Sequence, residues 1–84
     1  MVNYYIYIVE CSDGTLYTGY ARDVEARVKK HNLGTGAKYT RNKRPVKLKY
    51  QESFDSKSDA MKREIEIKKL SRRDKLILIR GGKS

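Results

Sequence analysis

Acidic residues are scarce in this chain. Its 84 residues hold ten Asp and Glu against twenty Lys and Arg, a formal charge of +10 at pH 7. Such an imbalance excludes an ordinary neutral surface and points to a polyanionic partner, of which nucleic acid is the commonest. Cysteine is reduced to Cys11 alone. No internal disulfide can form, and a reducing, cytoplasmic setting is expected, with association to the nucleoid as one form of it. One Cys and one His, His31, cannot furnish a zinc site, and no Ser-His-Asp arrangement is recognisable around that single His. Long hydrophobic runs are missing too, and those present, such as Leu76 to Ile79, are short. A membrane span and a signal peptide are therefore not expected. Proline occurs once, as Pro45, and no linker, repeat or low-complexity tract interrupts the chain. One domain over residues 1–84 is expected, with a core at about 4–80, a frayed tail at 81–84, and a monomeric state.

What is abundant is tyrosine. Five of the seven tyrosines fall between Tyr4 and Tyr20. Residues 4–11 (YYIYIVEC) are aromatic and β-branched, and both alternating faces are apolar: Tyr5, Tyr7 and Val9 on one, Tyr4, Ile6 and Ile8 on the other. A strand buried on both faces is usually central. Ser12-Asp13-Gly14 is a turn signal, and residues 15–20 return as a second strand. Asp23 is placed to cap a helix over residues 24–32. Residues 33–45 form a loop, and 46–54 alternate as a third strand with Val46, Leu48 and Tyr50 on one face. A helix follows over about 57–70, and a capping box at Ser71 and Asp74 starts a short last helix. The order β-β-α-β-α-α predicts an α+β domain: a small three-stranded antiparallel sheet flanked by helices.

The second helix breaks a rule. On a helical wheel, Glu64 falls inside the arc spanned by Ala60, Met61, Ile65 and Ile67. A carboxylate facing a core is costly unless it is paired, hydrogen-bonded or bound to a metal. Lys68, four residues on, is one partner; a metal ion is another. The first helix carries Arg27 and His31, also four apart, on the flank of its apolar pair Val24 and Val28. An Arg at that edge can reach a phosphate, or it can snorkel beside an exposed His that the helix C-terminus stabilises.

The turn decides what the tyrosines can do. With an odd number of unpaired turn residues, Tyr17 pairs with Val9 and shares a face with Tyr7; with a two-residue turn the two phenols lie on opposite faces. A phenol is a poor base unless nearby cations favour the phenolate, which this basic chain can supply. The plainer reading of any one Tyr is packing.

Taken together, Tyr5-Ile6-Tyr7, then Tyr17-Thr18-Gly19, then Arg27, His31 and Glu64 resemble the GIY-YIG nuclease superfamily. The resemblance runs from Tyr4 to about Arg80, and the loop GTGAKYTR (34–41) is particularly like the small, stand-alone bacterial branch. It implies a metal-dependent endonuclease that hydrolyses DNA phosphodiesters, with a role in DNA repair or processing. Tyr7 and Tyr17 match the two motif tyrosines, Arg27 the phosphate-stabilising arginine, His31 a position near the site, and Glu64 the ligand of one divalent ion, Mg²⁺ or Mn²⁺. Tyr17 is expected to take the proton of the attacking water and Tyr7 to position it. Tyr5 and Tyr20 depart from the pattern, which has glycine at the first position and in some relatives lysine at the second; no asparagine follows Glu64.

The run from Lys38 to Lys49 has six Lys and Arg and no acid. Lys38, Tyr39, Thr40, Arg41, Lys43 and Arg44 are expected to contact nucleic-acid backbone, DNA or alternatively RNA. GTGAKYT lacks the spacing of a phosphate-binding P-loop. Nothing reads base edges, so shape or backbone recognition is expected. The rival reading is a non-catalytic nucleic-acid-binding module, dependent on a protein partner for specificity.

Overall fold

The computed structural model describes residues 3–81. Two strands, β1 (Tyr4–Glu10) and β2 (Leu16–Ala21), lead into helix α1 (Val24–Leu33). After a single 3₁₀ turn at Lys38–Thr40 come strand β3 (Lys47–Phe54) and helices α2 (Lys57–Lys68) and α3 (Arg72–Ile79). The sheet is antiparallel throughout with spatial order β2-β1-β3, so the doubly apolar strand is indeed the central one. The expected fold class and element order hold. Of the tail expected to fray, 82–84 lie outside the described residues.

Local chemistry sets the element ends. Asp23, Ser56 and Ser71 are extended N-caps, each accepting a bond from a backbone N–H three residues on. Gly34 ends α1 at φ 83°; its N–H bonds to the His31 carbonyl while Thr35 N–H reaches Lys30 O at 3.0 Å. This Schellman arrangement turns the following loop back over the helix end.

The sheet separates two cores. On one face Tyr7, Val9, Cys11, Ala21, Val24 and Val46 pack together beneath α1. On the other, Ile6 and Ile8 meet Ala60, Ile67 and Leu78 of α2 and α3. Two expectations about side-chain direction fail. The β1–β3 register shifts between Ile8 and Val9, so that Leu48 faces Val9 and Tyr50 faces Ile8, leaving Lys49 over. This bulge reverses the alternation: Val46 joins the α1 core, Tyr50 joins the opposite one, and they do not share a face. On α2 the buried line is Ala60, Glu64 and Ile67, and Ile65 is 52% exposed. Glu64 stays inside the narrower stripe.

Candidate active site

The hairpin brings the two motif tyrosines to one face. Tyr17 pairs with Val9 and Tyr7 with Gly19, so the tyrosines are diagonal neighbours on the side covered by α1. Cys11 N–H bonds to Thr15 O at 2.8 Å, which leaves the three residues Ser12, Asp13 and Gly14 as the odd-numbered turn. The hydroxyl end of the Tyr7 ring covers Gly19: a Cβ there would stand 2.6 Å from Tyr7 Cζ. Only glycine gives the ring that room.

His31 is 1% exposed, in the last turn of α1. Its Nε2 is 2.8 Å from the Tyr7 hydroxyl and its Nδ1 is 2.7 Å from Thr40 Oγ1. The reading of His31 as an exposed cation at a helix end is overturned, because burial first and then the Arg27 guanidinium hold its pKa below the ordinary value. Both causes favour the neutral imidazole. The Tyr7 phenol is pushed well above the ordinary tyrosine range, chiefly by burial, with Tyr17 and Glu64 adding to the rise and Arg27 opposing it. The expectation that cations would favour its phenolate therefore fails: desolvation outweighs Arg27. Tyr17, Arg27 and Glu64 are thus the titratable groups that act on this one hydroxyl.

The aromatic rings continue outward. Tyr17 meets His31 edge-on at 5.4 Å between centroids and stacks on Tyr39 at 5.6 Å and 21°. Lys43 Nζ stands 3.8 Å from the Tyr39 ring centre and 3.4 Å from Asp13 Oδ2. Arg27 is exposed and makes no salt bridge among the described residues. A free guanidinium near enough to act on Tyr7 and His31 is suited to an anionic oxygen.

Glu64 is 9% exposed, and its carboxylate meets Lys68 Nζ at 3.7 Å. So the i,i+4 partner is real, but the contact is long and Lys68 itself is half exposed, its side chain at 51%. No group of three or more His, Cys, Asp and Glu side chains gathers among the described residues. A single nearly buried carboxylate fits a hard cation such as Mg²⁺ or Mn²⁺, which takes one or two carboxylates and completes its shell with water and phosphate oxygens. It does not fit an all-protein cage.

The basic loop divides. Lys38, Tyr39, Arg41 and Arg44 are exposed, and Lys43 is partly exposed over Tyr39. Arg44 turns back on the end of α1, with Nε 2.9 Å from Arg41 O and Nη1 3.4 Å from Asn32 O. Thr40 is completely buried beneath His31 and offers no surface to a phosphate. Its true neighbour is nine residues away, a contact that no period in the sequence announces. Gly36 carried the only hint: a Cβ there would be 2.6 Å from His31 Nδ1, so the loop needs glycine to close on the ring.

Residues 3–77 match the GIY-YIG catalytic domain. The chain belongs to the GIY-YIG family. A UPF0213 protein of Staphylococcus saprophyticus is 63% identical over 82 residues, covering 98% of this chain and all of that one. Among solved structures, the UPF0213 protein of Bacillus halodurans is 53% identical with a TM-score of 0.60, over 92% of this chain and 82% of that one. A protein of E. faecalis is 41% identical with a TM-score of 0.66, over 96% and 86% of the two chains. GIY-YIG membership supports a nuclease-like role. No helix among the described residues is long and apolar enough to cross a membrane.

Proposed function

We propose that this GIY-YIG chain is a metal-dependent endonuclease that hydrolyses DNA phosphodiesters and recognises backbone shape rather than sequence. The observation that carries the reading is the buried bond between Tyr7 and neutral His31, with Arg27 and Glu64 acting on the same phenol. That bond favours Tyr7, rather than Tyr17, for the proton transfer. The attacking water gives its proton to Tyr7 Oη while the Tyr7 hydroxyl proton moves to His31 Nε2. The hydroxide oxygen forms the new bond to phosphorus, the ester bond breaks, and solvent protonates the departing oxygen. Arg27 counters charge on the phosphate oxygens, and Tyr17 holds the water. Glu64 would hold one Mg²⁺ or Mn²⁺, which when bound supplies Lewis-acid stabilisation of that charge. Lys38, Tyr39, Arg41, Lys43 and Arg44 would follow the nucleic-acid backbone beside the site. A cytoplasmic role in DNA repair or processing accords with this chemistry.

The Glu64–Lys68 ion pair favours a second reading, a binding module whose carboxylate is structural. Glu64→Gln separates the two. Incubated with supercoiled, branched or single-stranded DNA and Mg²⁺ or Mn²⁺, the wild type should cut, and the variant should lose about 100-fold or more while still binding, given several kcal/mol of metal-borne stabilisation. Equal cleavage by both removes Glu64 from the mechanism. A wild type that binds all three DNAs and cuts none leaves the binding module.

A further inference from the structure

Thr40 sits where a second role becomes visible. Its hydroxyl has one proton and two short neighbours: Ala37 O at 3.0 Å, which can only accept, and His31 Nδ1 at 2.7 Å. Both contacts are satisfied only if Thr40 donates to the carbonyl and accepts from an Nδ1–H. The opposite arrangement sends the lone proton to Nδ1 and sets two oxygen lone pairs against each other at 3.0 Å. What it gains is the Ala37 N–H at 3.4 Å from Nδ1, a contact at the outer limit of a hydrogen bond. Burial raises the stakes, for His31 is 1% exposed and Thr40 is 0% exposed, so a mismatch between them is shielded from bulk water.

We propose that Thr40 is a positioning residue that holds His31 as the Nδ1–H tautomer, with Nε2 bare toward Tyr7. Tyr7 must then donate its proton to Nε2 at rest, which leaves its oxygen lone pairs free to accept. With the other tautomer, Nε2–H would donate to Tyr7, and the ring's lone pair would lie on Nδ1, away from the phenol proton. The loop is built for this contact: the αL turn at Gly34 brings it back, and Gly36 lets it press on the imidazole. The tautomer assignment stands on geometry alone; its effect on cleavage rests on the nuclease reading above.

His31 is the only histidine in the chain, so its ring nitrogens can be assigned without ambiguity. Long-range proton–nitrogen correlation spectra of ¹⁵N-labelled protein at pH 8 should give a protonated-type shift for Nδ1 and a bare-type shift for Nε2. The reverse pattern in the wild type overturns the proposal outright, whatever the variants do. Thr40→Val keeps the shape and removes the hydroxyl, and should shift the population toward Nε2–H; Thr40→Ser should restore the wild-type pattern. A folded Thr40→Val with the wild-type tautomer overturns the proposal as well. If Thr40→Val does not fold, Thr40→Ser takes its place, and loss of the pattern there counts against the proposal. On a DNA that the wild type cuts, Thr40→Val should lower kcat about 10- to 100-fold with KM unchanged, the loss usual when an orienting partner is removed. The spectra do not depend on cleavage, so a protein without nuclease activity leaves this test intact.

Discussion

The two faces of β1 differ in kind, although their residues alternate along seven positions. Ile6 and Ile8 enter a core of Ala60, Ile67 and Leu78, where shape and apolar area do the stabilising. Tyr7, one residue away, enters a face where the buried groups include His31 and Thr40 joined through hydrogen bonds. An apolar core tolerates small adjustments of its members. A buried polar chain does not, because each group depends on its neighbour's donor or acceptor. Stability and chemistry are therefore carried on opposite sides of one strand. Two polar residues cross that division. Thr18 is buried with no partner for Oγ1 among the described residues, which nothing in the structure explains. Glu64 belongs to the buried stripe of α2, yet its charge reaches Tyr7.

The harshest way to break the comparison is Ile8→Ala. Ile8 is fully buried. Its truncation should cost about 2–5 kcal/mol, a large share of what a small domain has. The melting temperature should fall by roughly 4–8 °C per kcal/mol. Well below the new midpoint, the His31 ring signals should match the wild type, since that residue lies across the sheet. Disturbed His31 signals in the folded variant would mean that the two faces are not separable.

Tyr7→Phe probes the other face with the opposite signature. The ring stays over Gly19, and only the hydroxyl is lost. The bare Nε2 loses its buried partner, at about 1–3 kcal/mol. Cleavage of DNA should fall about 10²- to 10⁴-fold, the usual contribution of a positioned proton-transfer group. A variant that loses stability as expected but cuts normally would reduce the Tyr7–His31 bond to a packing device.

How much of this was legible in the sequence also divides by face. The central strand and the segregated order of elements follow from local patterns that tertiary contacts do not override, whereas the turn residues allow both hairpin parities and the Cys11–Thr15 pairing decides between them. Tyr7, Tyr17, Arg27, His31 and Glu64 could be picked out because their order and spacing resemble a family; in the structure His31 bonds to the Tyr7 hydroxyl, and Tyr17, Arg27 and Glu64 act on the same phenol. Three things were not legible. The bulge at Lys49 depends on pairing between strands about forty positions apart and leaves no mark in the local alternation. Burial of His31 depends on a loop folding back, so a residue at a helix end looked exposed. Thr40 read as a surface group in a basic run because its partner is set by the Gly34 turn and the close approach at Gly36, neither of which is periodic.

The gentlest test uses acid rather than mutation. His31 faces Tyr7, Tyr17 and Thr40, with Arg27 one turn back on its own helix. Burial first, and Arg27 second, lower its folded-state pKa below the ordinary value of about 6.5. The unfolded chain therefore binds a proton at a higher pH than the native protein does. Between those two pKa values the unfolded state holds more protons, so stability rises with pH there and is lost as pH falls. The loss should begin as pH drops through about 6.5 and steepen to at most about 1.4 kcal/mol per pH unit for this one group. Ordinary carboxylates titrate near pH 4, so the interval from about pH 7 to 5 belongs to His31. Urea unfolding across that interval, alongside an NMR titration of the single His ring, measures both sides of the linkage. A ring midpoint at or above 6.5, or stability flat from pH 7 to 5, would show that the site face accommodates a charge as readily as a solvated surface, and the contrast with the Ile6 and Ile8 face would then rest on packing alone.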